Sequence, residues 1–153
     1  MDSAAAHKLV TDWGRAERST GNVLQEGTNG AFFAHVASLG FRYDPQLQVL
    51  AVYGQVLPDT QFLSEYQDVQ DELARIAREE PERVYFARFE LVKMPYDADD
   101  PNPTLFLRRD YKSAGDEKAI FAEWKKLRET AYLWHRTYFG QAVEPVVQRR
   151  KKP

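Results

Sequence analysis

Cysteine is absent from the 153 residues. Its absence excludes disulfides, a thiol nucleophile, and zinc or iron–sulfur centres held by thiolates. The opening stretch, MDSAAAHKL, has no basic region followed by an apolar one, so the chain reads as cytoplasmic. No apolar run approaches the ~20 residues that span a bilayer, and no membrane partner is expected. Catalytic signatures are missing as well. The eight glycines form neither GxxxxGK nor GxGxxG, which leaves no loop to cradle phosphates. No serine lies in GxSxG. His7, His35 and His135 fall on separate expected elements and form no HExxH or Glu-x-x-His pair. Each reads as structural or exposed, and no metal site is expected. Asp97, Asp99 and Asp100 form the one acidic loop cluster. Pro101, Asn102 and Arg108 stand where a calcium loop needs an oxygen ligand, a glycine and a glutamate. Glu79, Glu80 and Glu82 flank Pro81 and read as surface charge at a helix end, not as an acid–base pair. The expectation is a chain without cofactor and without catalysis.

Positive charge is scarce over the body of the chain. There are 21 Lys and Arg against 23 Asp and Glu, and Arg149, Arg150, Lys151 and Lys152 crowd the C-terminal end. An acidic body with a short basic tail is poorly suited to gripping nucleic acid across a face. The stretch RVYFARF, 83–89, interleaves basic and aromatic residues as a single-strand platform does. It lacks the glycines of an RNA-recognition strand, so no nucleic-acid partner is expected.

What the sequence does have is apolar and aromatic side chains, at 43% and 13%. A chain of this length buries roughly 70% of its unfolded surface and forms one domain. Ser3 to Arg18 reads as a helix capped by Ser3, with Leu9, Val10, Trp13 and Ala16 at helical spacing. Residues 19–30 are turn-rich, with a short extended piece at Val23–Leu24. Three strands follow, at 31–38, 40–44 and 47–56. Leu39–Gly40 separates the first two, and Asp44-Pro45-Gln46 turns the second into the third. The third strand is apolar on both faces, which places it centrally in its sheet. Phe62, Tyr66, Val69, Leu73 and Ile76 make an apolar helical stripe that Pro81 ends. Strands at 83–93 and 104–110 flank the proline-rich segment 94–103. Asp116 caps a last helix to Phe139, and Gly140 ends it. Its stripe of Ile120, Trp124, Leu127, Ala131, Trp134 and Tyr138 is widened by Phe121, Tyr132, His135 and Phe139. So broad a band is covered either by the first helix or by a partner. The expected fold is α+β, order α-β-β-β-α-β-β-α. It has a mostly antiparallel sheet of about five strands with three helices. The domain spans 1–139, and 140–153 form a C-terminal extension with the basic tail.

That order, in an acidic and cysteine-free chain of this size, resembles the type III secretion chaperones, the family typified by the Tir chaperone. The stretch FRYDPQLQVLAVYGQVLP, 41–58, carries the likeness most visibly. It runs from an extended segment through an Asp-centred turn and an apolar strand to a Gly-containing exit before a Pro-capped helix. The longer segment 94–103, the aromatic last helix and the basic tail depart from the family pattern. The resemblance implies a cytoplasmic homodimer that binds an extended, unfolded segment of an effector-like partner protein. It implies a dimer interface at Phe62, Tyr66, Val69, Leu73, Tyr85 and Phe89. It implies partner-binding grooves lined by Leu9, Trp13, Phe32, Phe33, Val36, Phe41 and Tyr43. Core packing competes with that role at each position. Two other readings remain from the residues alone: an immunity protein that blocks a cognate toxin, and an enzyme whose site is dispersed along the chain.

Overall fold

A computed structural model describes residues 1–56, 71–72, 75–76, 78–79, 88–92 and 104–139. Within them, helix α1 (Ser3–Ala16) leads into strand β1 (Val23–Glu26) and a 3-10 turn (Thr28–Gly30). Strands β2 (Phe32–Val36), β3 (Leu39–Asp44) and β4 (Val49–Gln55) follow. Later come β5 (Arg88–Val92), β6 (Thr104–Tyr111) and helix α2 (Glu117–Trp134), which passes into a π turn over His135–Phe139. The class is α+β, as expected, with two long helices among the described residues. The stretch expected as a middle helix falls largely outside them, although residues 71–72, 75–76 and 78–79 are helical. The segments 94–103 and 140–153 also lie outside them.

Among the described residues the sheet has six antiparallel strands, in the order β1-β2-β3-β4-β6-β5. The strand beyond the expected five is β1, grown from the short extended piece at Val23–Leu24. It pairs with β2 along its whole length, Val23 opposite His35 and Glu26 opposite Phe32. β4 is central, as its two apolar faces require, and every residue from Val49 to Gly54 is buried.

The turn between β2 and β3 is not at Leu39–Gly40. It is at Ala37 and Ser38, which both take positive φ (50° and 66°), as a tight hairpin turn demands. Gly40 instead sits within β3, in register with His35 on one side and Tyr53 on the other.

The helix starts follow their caps. Asp2, not Ser3, caps α1, its carboxylate accepting from the Ala5 N–H at 2.8 Å. A carboxylate suits the positive end of a helix dipole. Ser3 Oγ donates to the Gly30 carbonyl at 2.7 Å and ties the helix to the loop before β2. Asp116 caps α2 as expected, accepting from the Lys118 N–H at 3.0 Å.

Both helices pack into one core with the sheet. Leu9, Val10 and Trp13 of α1 meet Phe32, Phe41, Leu50, Val52 and Leu107 of the strands, and Trp124 and Leu127 of α2. The rings of Trp13 and Phe121 lie 5.5 Å apart, as do those of Trp13 and Trp124. The wide aromatic band of α2 is thus covered in good part by α1. Tyr132 and Leu133, at its far end, stay about 60% exposed (61% and 60%). Gly54 lets α2 approach β4, since a Cβ there would stand 2.9 Å from Ala131 Cβ and 3.2 Å from the Leu127 carbonyl oxygen. The opposite sheet face holds a smaller buried cluster of Ala51, Tyr53 and Phe106.

Candidate functional site

Among the described residues β1 forms one edge of the sheet. All four of its residues are exposed, and Val23 and Leu24 are both 39% accessible, which is high for aliphatic side chains in a strand. An edge strand offers a row of backbone N–H and C=O groups to any chain that lies alongside. Beside this edge a groove of about 500 Å³ runs along α1, lined by Val10, Thr11, Gly14 and Arg15 of the helix, and by Leu24 and Val36 of the strands. A shallower concavity of about 770 Å³ adjoins it, sharing Thr11 and Arg15 and reaching His7 and Glu26. Gly14 keeps the floor low: a Cβ there would come within 2.8 Å of Val36 Cγ1.

Polar side chains shape the rim. Lys8 Nζ donates to Asp12 at 2.6 Å, one helical turn away, and Arg15 lies 3.6 Å from the same carboxylate. The Lys8 hydrogen bond holds the Asp12 carboxyl below its ordinary value, and the same bond holds the Lys8 amine above its own. His7 spans the two elements, with Nδ1 3.4 Å from Thr11 Oγ1 and Nε2 4.0 Å from Glu26. At the other end, Ser19 Oγ donates to Asn22 at 2.6 Å and accepts from the Ala37 N–H at 3.0 Å, pinning the segment that leads into β1.

The seven residues expected to line a partner groove divide sharply. Leu9, Trp13, Phe32, Val36, Phe41 and Tyr43 are buried core residues, and Trp13 and Phe41 have no exposed surface at all. Trp13 is further committed by its indole N–H, which donates to the Val36 carbonyl at 3.1 Å. Tyr43 donates to the Met1 carbonyl at 2.7 Å, and burial, aided by the charges of Asp2 and Asp44, raises its pKa. These six are core side chains and do not present a face to a ligand; of them only Val36 lines the groove. Phe33 alone is half-buried, and it lies on the opposite sheet face under Arg42. The concavity beside α1 is lined by side chains to which the sequence assigned no binding role, Thr11, Arg15 and Leu24 among them. Of the expected dimer contacts, Phe62, Tyr66, Val69, Leu73 and Tyr85 lie outside the described residues. Phe89 enters through its backbone in edge strand β5, paired with Leu107.

A second cleft of about 510 Å³ opens where α2 crosses the ends of β2 and β4, lined in part by His35, Gln55, Arg128, Tyr132 and His135. Two of the three histidines, a hundred residues apart in sequence, thus meet one cleft. His135 Nδ1 donates to the Val56 carbonyl at 2.9 Å, which fixes its tautomer. Arg128 braces the wall. It donates to Glu17 at 2.6 Å and to the Ala37 carbonyl at 3.2 Å, while its guanidinium stacks 5.1 Å from the Trp13 ring centroid. Among the described residues no three His, Cys, Asp or Glu side chains converge as a metal site would require. No helix among them is long and apolar enough to cross a membrane. The chain matches no protein-family model, and no curated protein is significantly similar to it.

Proposed function

We propose that this chain is a non-catalytic cytoplasmic binding protein that holds an extended segment of a partner polypeptide, working as a homodimer in the manner of the secretion chaperones it resembles. The observation that carries this reading is the edge strand β1, with Val23 and Leu24 each 39% accessible, beside the groove along α1. A partner segment adds to the sheet as a further strand next to β1, and its alternate side chains drop into the groove.

Magnitudes decide which contact matters more. Ordering four residues costs about 4–8 kcal/mol of backbone entropy. The net worth of each new hydrogen bond is only about 1 kcal/mol, so strand pairing alone does not hold the segment. Each apolar anchor that becomes buried adds about 1.5–3 kcal/mol, and two or three in the groove tip the balance. Affinity therefore rests on the groove, and strand pairing sets register.

The test is capture of partners from the native cell by the wild-type chain and by a Val23→Lys, Leu24→Lys double variant, with the bound polypeptides identified by mass spectrometry. Both positions are partly exposed, and circular dichroism checks that the variant keeps the wild-type fold. The expected result is a polypeptide retained by the wild type and lost from the variant, with the wild type dimeric by light scattering. Equal retention by both chains overturns the reading.

A further inference from the structure

On the sheet face away from the helices, cross-strand register sets Phe33, Arg42, Ala51 and Asp110 in one row, and Tyr53 beside Arg108 in the next. The Arg42 guanidinium carbon lies 5.5 Å from the Phe33 ring centroid and 6.0 Å from that of Tyr53. Two aromatic faces thus hold this cation. They do not satisfy its N–H groups. The Arg42 Nε is buried and meets no acceptor among the described residues.

The nearby carboxylates are committed elsewhere. Asp110 receives Arg108 Nε at 2.7 Å and its Nη2 at 3.4 Å. Asp44 Oδ1 closes its own turn, accepting the Gln46 and Leu47 N–H groups at 2.8 and 3.2 Å. Arg42, Arg108 and Lys112 line a single cleft of about 350 Å³ with those two acids, so among the described residues cations outnumber carboxylates there. Resting on the Phe33 and Tyr53 rings, this half-buried guanidinium lines the cleft with its terminal nitrogens bonded to no described side chain.

We propose that this cleft binds a small oxyanion, a carboxylate or phosphate group, through Arg42. Because Nε is closed off, the anion is gripped end-on by the two terminal nitrogens, whose parallel N–H bonds match a pair of oxygens on one carbon or phosphorus. Lys112 supplies a second, mobile positive charge at the rim. The volume sits at the small end of ligand pockets, which suits a compact molecule and not a macromolecule. The site is on the other face of the sheet from the α1 groove and does not depend on the polypeptide-binding reading.

Isothermal titration calorimetry of the full chain with inorganic phosphate and with acetate, each against chloride at matched ionic strength, tests the site and separates the two sources of the anion. The expected result is saturable binding of at least one oxyanion, weakened about tenfold or more in Arg42→Met and several-fold in Lys112→Gln. Arg42→Lys keeps the charge but loses the fork, and it too binds several-fold more weakly. That variant and Lys112→Gln carry the test should Arg42→Met fail to fold. A response to phosphate and acetate no larger than to chloride, or undiminished binding in the Arg42→Lys and Lys112→Gln variants, overturns the proposal.

Discussion

Trp13 and Trp124 are equally buried and touch one another, yet their indole N–H groups differ. That of Trp13 bonds the Val36 carbonyl, whereas that of Trp124 meets no acceptor among the described residues. Replacing each by phenylalanine removes similar volume, but only Trp13→Phe loses a buried hydrogen bond. Trp13→Phe should therefore be the less stable variant by about 1 kcal/mol in urea unfolding. Equal losses would show that the hydrogen bond contributes nothing. Titration of the Lys8–Asp12 pair gives a second residue-scale expectation. The Asp12 carboxyl is held below its ordinary 3.8, so its contribution is complete above that value and fades as pH falls through the lowered one. Lys8, held above 10.5, loses its contribution only as pH rises through the raised value. Asp12→Asn should therefore lower the melting temperature at neutral pH and converge on the wild type in strong acid, as followed by circular dichroism. The effect is small, because the pair is solvent-screened.

At the scale of elements, two backbone positions carry opposite expectations. Ser38 holds a positive φ of 66° in the β2–β3 turn, where a Cβ is strained. Ser38→Gly should raise stability by about 1 kcal/mol, read as a higher melting temperature. Gly54→Ala should lower it by about 1–3 kcal/mol, because its methyl group meets Ala131 and the Leu127 carbonyl and pushes α2 off β4. The helices were legible in the sequence because capping residues and a 3.6-residue apolar period both mark them. Asp2 displaced Ser3 as the cap only because two neighbouring residues could each serve. The central strand was legible from its two apolar faces. β1 showed only as a short extended piece, since VLQE is exposed throughout and carries no alternation to reveal its pairing with β2. The turn at Ala37–Ser38 was hidden because neither residue is a usual left-handed former, while Gly40 nearby supplied a false breaker.

For the whole molecule, the sequence could not sort apolar residues into core and binding surface. Leu9, Trp13 and Phe41 have the same chemistry whether they face a sheet or a partner, and only the packing of α1 against α2 shows that they are internal. The candidate sites are instead made of edges and gaps: an edge strand beside a glycine-floored groove on one face of the sheet, and an arginine on aromatic rings on the other. Such features depend on contacts between elements distant in the chain, as do the two histidines that meet one cleft. The function proposed for this chain has an extended partner segment lying along the β1 edge with side chains in the α1 groove. Hydrogen exchange on the captured complex, compared with the free protein, tests it most directly. Slowed exchange is expected in the outward-facing amides of residues 23–26, those that do not bond to β2. Unchanged exchange there, with protection confined to other parts of the molecule, would contradict it.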